Sequence, residues 1–127
     1  YLVAASLRGV LAQRLLRKIC SNCKQPQEDV NPAVKRTAEK IAGPIETFYH
    51  GRGCPKCRNT GFSGRIGAFE LLAPDDDTLD LIAAGAGLQE IRRAAADNGM
   101  TVLRNDGMEK VKAGLTTIEE VLFATAA

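Results

Sequence analysis

Cys20-Ser21-Asn22-Cys23, answered by Cys54-Pro55-Lys56-Cys57, is the pattern around which this 127-residue chain organises, and the two pairs hold all four of its cysteines. Two thiolates from each pair can complete the tetrahedral four-sulfur shell that Zn2+ takes in structural sites, because a two-residue spacer lets both sulfurs of a pair turn toward one ion. The stretch between the pairs is longer than in a compact zinc ribbon, so a small subdomain is expected to fill it. No cysteine is left over, which argues against chance placement.

Other chemistries fit these cysteines less well. Disulfides need an oxidising compartment, and no secretory signal peptide is legible. A redox Cys-x-x-Cys occurs once, beside a thioredoxin-like βαβ pattern that this sequence lacks. The spacing does not match the ferredoxin iron–sulfur patterns. Cys20, Cys23, Cys54 and Cys57 are therefore read as ligands of a structural zinc, closed to water and so not catalytic. The one histidine, His50, is a candidate fifth ligand that four cysteines make superfluous, and it is read as a turn or surface residue.

Length points to one domain, or to a piece of a longer chain, since the sequence opens at Tyr1 inside an apolar run. With no Trp and 5% aromatics, aliphatic residues and Ala must build the core. No apolar run is long enough to cross a bilayer. The net charge of +2 conceals a division: residues 1–69 carry 12 Lys and Arg against 4 Asp and Glu, and residues 70–127 carry 5 against 11. Basic charge thus gathers around the cysteines, where it could meet phosphates, nucleic acid, an anionic membrane surface or an acidic protein.

Outward from the cysteines, Leu7, Val10, Leu11, Leu15 and Ile19 recur at helical spacing and predict a helix over Ala5 to Lys18, with Arg14, Arg17 and Lys18 on its solvated side. Asn31-Pro32 predicts a helix start running through Val34 to Ile41, stopped at Gly43-Pro44. Arg65 to Leu72 reads as a short strand whose near-continuous apolar run predicts burial on both faces. Asp75, Asp76 and Asp77 open a helix carrying Leu79 and Ile82, broken at Gly85 and Gly87. A second helix carries Leu88, Ile91 and Ala95, and a third carries Leu103, Met108 and Val111. Thr116 with Glu119 has the form of a capping box opening a fourth. The chain is expected to be mainly α, with a short strand, a small four-cysteine zinc subdomain and a C-terminal helical subdomain. The expected divisions are 1–19, 20–64, 65–73 and 74–127.

No Gly-x-x-x-x-Gly-Lys-[Ser/Thr] occurs, so these residues hold no phosphate-cradling P-loop. No catalytic residue is assigned. Arg52, Lys56, Arg58 and Arg65 cluster around the second cysteine pair.

Val10-Leu11-Ala12-Gln13-Arg14-Leu15-Leu16-Arg17-Lys18-Ile19-Cys20 resembles the Ala-Gln-Arg-Leu helix of the type II secretion and type IV pilus assembly ATPases. Gly53-Cys54-Pro55-Lys56-Cys57 with Gly61-Phe62-Ser63-Gly64-Arg65-Ile66-Gly67-Ala68-Phe69-Glu70-Leu71-Leu72 is similar to the family's return from its zinc module. Asp106-Gly107-Met108-Glu109-Lys110-Val111 and Gly114-Leu115-Thr116-Thr117-Ile118-Glu119-Glu120-Val121 look like its last two helices. Residues 24–49 carry no such match. The resemblance implies an α/β parent with a RecA-like P-loop core, using ATP and Mg2+ and assembling as a hexamer. It implies a cytoplasmic location at the inner face of the bacterial inner membrane, with platform proteins as partners and no nucleic acid. It places the nucleotide motifs upstream of Tyr1, so this chain alone is expected to be inactive. It makes Arg65 a candidate phosphate or subunit-interface contact. The rival reading is a free-standing zinc module that binds nucleic acid, with Phe62 or Tyr49 stacking on bases.

Overall fold

The computed structural model describes Ala4 and residues 6–126. The element order is β1 (Val10–Ile19), β2 (Lys24–Pro26), α1 (Pro32–Ala42), β3 (Tyr49–Gly51), a 3-10 turn (Pro55–Cys57) and β4 (Phe62–Leu72). Four helices follow: α2 (Asp76–Ala83), α3 (Leu88–Asp97), α4 (Leu103–Lys112) and α5 (Ile118–Ala124). β1 pairs with β4, and β2 pairs with β3. The chain divides into two compact units. One holds residues up to Ala12 and Glu70–Val102; the other holds Gln13–Phe69 and Leu103–Ala127.

The first expected helix is a strand. Ala5 lies outside the described residues, Ser6 is helical, residues 7–9 are irregular, and β1 begins at Val10. Leu11 and Leu15 of the expected helical stripe are exposed, at 61% and 55%, while their neighbour Leu16, off that stripe, is fully buried. Leu, Ala, Gln, Arg and Lys are all good helix formers, so local propensity points the wrong way here. Pairing with β4, some fifty residues on, overrides it.

The strand expected over Arg65–Leu72 is longer, running from Phe62. It is not buried on both faces: Ala68 is buried, whereas Phe69 and Leu71 are exposed. An apolar run alone does not say how many faces are covered.

The larger unit carries the core. Leu16 of β1 and Ala68 of β4 join Ala38 of α1, Ile45, Phe48, Met108 and Val111 of α4, and Ile118 and Val121 of α5. α1 begins as its sequence predicts: the Asn31 side chain accepts from the Ala33 N–H at 2.8 Å, with Pro32 in the first turn. Val34, Ala38 and Ile41 then share the inner face. α4 and α5 approach closely because Gly107 lacks a side chain; a Cβ there would lie 2.7 Å from Val121 Cγ1.

The capping threonine of α5 is Thr117, one residue later than the sequence suggests. Its hydroxyl accepts from the Glu120 N–H at 3.3 Å. Thr116 instead donates to the Arg17 carbonyl at 2.8 Å, and the Ile19 N–H donates to the Leu115 carbonyl at 2.9 Å. Both bonds tie the end of β1 to the α4–α5 turn.

In the smaller unit α2 packs on α3, with Thr78 and Ala95 buried. Asp75 caps α2, accepting from the Thr78 N–H at 2.8 Å. The three acids open this helix as the sequence predicts.

Candidate metal centre

β2 and β3 run antiparallel, with Lys24 opposite Gly51, Gln25 opposite His50 and Pro26 opposite Tyr49. Cys23 precedes Lys24, and Cys54 follows Gly51 by three residues. The register therefore sets both cysteine pairs at one end of the strand pair. The Arg52 N–H donates to the Cys23 carbonyl at 3.2 Å, and the Cys20 N–H to the Gly61 carbonyl at 2.9 Å, joining the two knuckles through their backbones.

The four sulfurs converge, all within 4.8 Å of one another. Cys20 lies 3.8 Å from Cys54, Cys23 lies 3.8 Å from Cys57, and Cys54 lies 3.6 Å from Cys57. Four sulfurs each about 2.3 Å from one zinc would be about 3.8 Å apart, so the cluster has the dimensions of a tetrathiolate shell. A disulfide would need about 2.05 Å, and all four cysteines are free and largely buried.

Hydrogen-bond donors face three of the sulfurs. Cys57 Sγ accepts from the Cys54 N–H at 3.3 Å and the Gly61 N–H at 3.2 Å. Cys23 Sγ accepts from the Gly53 N–H at 3.3 Å, and Cys54 Sγ from the Asn22 side-chain amide at 3.2 Å. Burial opposes ionisation at Cys57, yet its two backbone donors bring the thiol down to about 6. The Asn22 amide lowers Cys54. At Cys23 burial prevails over the Gly53 N–H and pushes the thiol up to about 11. A bound cation would offset that burial penalty, since metal binding requires the thiolate.

Left-handed backbone builds the second knuckle. Arg58 (φ 56°) and Asn59 (φ 60°) curl the chain so that the Asn59 N–H reaches the Cys54 carbonyl at 2.9 Å. Such a conformation costs a non-glycine residue about 1 kcal/mol. It brings Gly61 over Cys57.

His50 does not join the cluster; it is half-buried in β3, with Nε2 3.1 Å from the Gln25 side-chain nitrogen. It is thus a strand residue and not a turn residue. Arg65 is exposed on β4 and lines an open cleft of about 630 Å³ with Arg14, Leu15, Arg17, Glu120 and Phe123.

Arg17 is more than a solvated charge. Its guanidinium grips Glu120 at 2.8 and 3.2 Å, and its own backbone N–H donates to the same carboxylate at 2.9 Å. It also lies 4.2 Å from the centre of the Phe62 ring. These bonds hold the Glu120 carboxyl below the usual carboxylate range. The resulting stabilisation is complete above about pH 4.3, the ordinary glutamate value, and is lost as pH falls through the lower folded value. Because Arg17 is largely exposed, the pair is worth about 1 kcal/mol. Glu120→Gln is expected to lower the melting temperature by a few degrees at pH 7. The difference from wild type should narrow below pH 4 in matched thermal scans. The sequence reading missed both this pair and Asn22, although Asn22 stands inside a Cys-x-x-Cys as a ready amide donor.

A strand pair that presents two Cys-x-x-Cys knuckles as one four-sulfur cluster, on a small core of strands and helices, defines the class: a cysteine-built module whose sulfurs could hold a metal ion. The family described as Type II/IV secretion system protein matches residues 1–123. Type II secretion system ATPase E of Vibrio cholerae is 40% identical over 98% of this chain and 24% of its own length. Type IV pilus assembly ATPase PilB of Thermus thermophilus is 40% identical over 97% of the chain and 14% of its own length. Type II secretion system protein E of Pectobacterium carotovorum is 44% identical over 98% and 24%. The chain belongs to the type II/IV secretion system protein family. It spans about a quarter or less of the length of these relatives.

Proposed function

We propose that this chain is the zinc-binding C-terminal part of a hexameric ATPase that powers type II protein secretion from the cytoplasmic face of the inner membrane. One observation carries the reading: about 40% identity along nearly the whole chain to relatives named as secretion and pilus ATPases. ATP hydrolysis belongs to the parent, with Mg2+, and this part has no P-loop and does no chemistry itself. Cys20, Cys23, Cys54 and Cys57 would hold the zinc, which supplies structural cross-linking and no reaction step. The four-sulfur module acts as a rigid knob on the ATPase core, passing its motion to platform proteins. Arg65, beside Arg14 in the β4 cleft, is a phosphate or subunit contact.

No helix among the described residues is long and apolar enough to cross a membrane, so membrane attachment through partners suits the reading. The rings of Phe62 and Tyr49 each already carry one of the chain's own cations, Arg17 at 4.2 Å and Lys24 at 4.5 Å. That disfavours base stacking. A second reading, an ATPase that extends type IV pili, is favoured by the pilus relatives of Thermus and Myxococcus at 40% and 38% identity.

Deleting the gene in its host tests both readings. Loss of exported proteins from the medium, with surface pili retained, is the expected result. Loss of pili with secretion intact would establish the second reading. Retention of both would overturn the assignment.

A further inference from the structure

Among the described residues outside the four cysteines, Asn22 is the one whose side chain, rather than backbone, donates to a sulfur of the cluster. Its amide reaches Cys54 Sγ at 3.2 Å across the gap between the knuckles, 32 residues away in sequence. Cys23 and Cys57 receive backbone N–H groups, which no substitution removes without moving the chain. Cys54 Sγ has a backbone donor too, the Cys57 N–H, and adds to it the Asn22 side-chain amide. A donor aimed at a sulfur favours its thiolate and fixes its direction, and such outer-shell partners typically alter metal affinity 10- to 100-fold. Asn22 itself is exposed, so it is not held there by burial.

We infer that Asn22 is a positioning residue of the metal centre: its side-chain amide holds the Cys54 sulfur for the metal from the opposite knuckle and slows the metal's release. The inference rests on the zinc reading above and adds a residue that Cys-x-x-Cys spacing does not require. The residue type matters. Aspartate has nearly the same shape but would set an acceptor, and a negative charge, against the thiolate. Alanine would leave Cys54 without its side-chain donor. Serine keeps a hydroxyl donor on a shorter arm.

The test uses purified protein loaded with Zn2+, challenged with excess chromogenic chelator, with released metal followed in time. Asn22→Ala is expected to release zinc about tenfold faster than wild type. Asn22→Asp should release it faster still, and Asn22→Ser should fall between alanine and wild type. Timed alkylation with peptide mapping should find all four thiols labelled earlier in Asn22→Ala than in wild type, with the largest gain at Cys54. Far-UV circular dichroism checks that the variants keep the wild-type helix content. Release within twofold of wild type for both Asn22→Ala and Asn22→Asp would overturn the inference while leaving the zinc reading intact. A wild-type protein that binds no Zn2+ would overturn the zinc reading, and the inference with it.

Discussion

Cys54→Ser is expected to empty the metal centre, taking bound zinc from about one ion per chain to under about a tenth. Cys54 lies 3.8 Å from Cys20 and 3.6 Å from Cys57, and its sulfur accepts from the Asn22 amide of the opposite knuckle. Serine fits the space, but its hydroxyl does not ionise near neutral pH and cannot replace a thiolate ligand. The apparent binding free energy of a structural zinc is about 10–16 kcal/mol, far more than the contacts of a three-residue strand pair can replace. β2, β3 and both knuckles should therefore lose order. The apolar core of Leu16, Ala38, Met108, Val111 and Val121 contains no cysteine, so α1, α4 and α5 should survive. On the proposed function, secretion by the full-length parent should fail while nucleotide binding persists. Elemental analysis, circular dichroism and a secretion assay at matched protein abundance check the three parts. Full metal content and wild-type secretion in Cys54→Ser would sink the structural-zinc account.

Gly51→Ala is expected to damage the same centre without touching a ligand. A Cβ on Gly51 would lie 2.6 Å from Gly61 Cα and would overlap its carbonyl, and backbone cannot swing aside as a side chain can. The strand end and the second knuckle must part. Gly61 then loses its alignment toward Cys57 Sγ, at 3.2 Å, and toward the Cys20 N–H, at 2.9 Å. Overpacking of this kind costs about 1–3 kcal/mol. Disturbing the outer shell should weaken zinc binding about 10- to 100-fold. Gly87→Ala is the matched control: Gly87 has φ −68° and nothing near its Cβ direction, so it should change little. Chelator competition and thermal unfolding of the two variants decide the matter. Equal behaviour would mean that the Gly51–Gly61 contact does not support the centre.

What the sequence disclosed follows from how local each signal is. The four cysteines and their convergence were legible because the spacing itself encodes the geometry. α1 was legible because Asn31, Pro32 and Gly43 are local start and stop signals that the backbone obeys. The acidic start of α2 was legible for the same reason. β1 was not. Its residues favour a helix taken alone, and its strand form comes from a partner far along the chain, which periodicity does not report. Thr116 was mistaken for the cap of α5 because two adjacent threonines each precede a glutamate by three. Only the fold assigns Thr117 to the helix and Thr116 to Arg17. The Arg17–Glu120 pair joins residues 103 apart, and Asn22–Cys54 joins residues 32 apart. Single-position reading sees a solvated arginine and a polar spacer, since the meaning of each lies in its partner.

The central claim is that four cysteines at one end of the β2–β3 pair hold one structural metal ion. Native mass spectrometry of the purified protein, with elemental analysis of the same sample, tests it most directly. The account predicts one zinc per chain, with all four thiols protected from alkylation until the metal is stripped. A metal-free chain whose four thiols alkylate freely, or one carrying two disulfides, would contradict it.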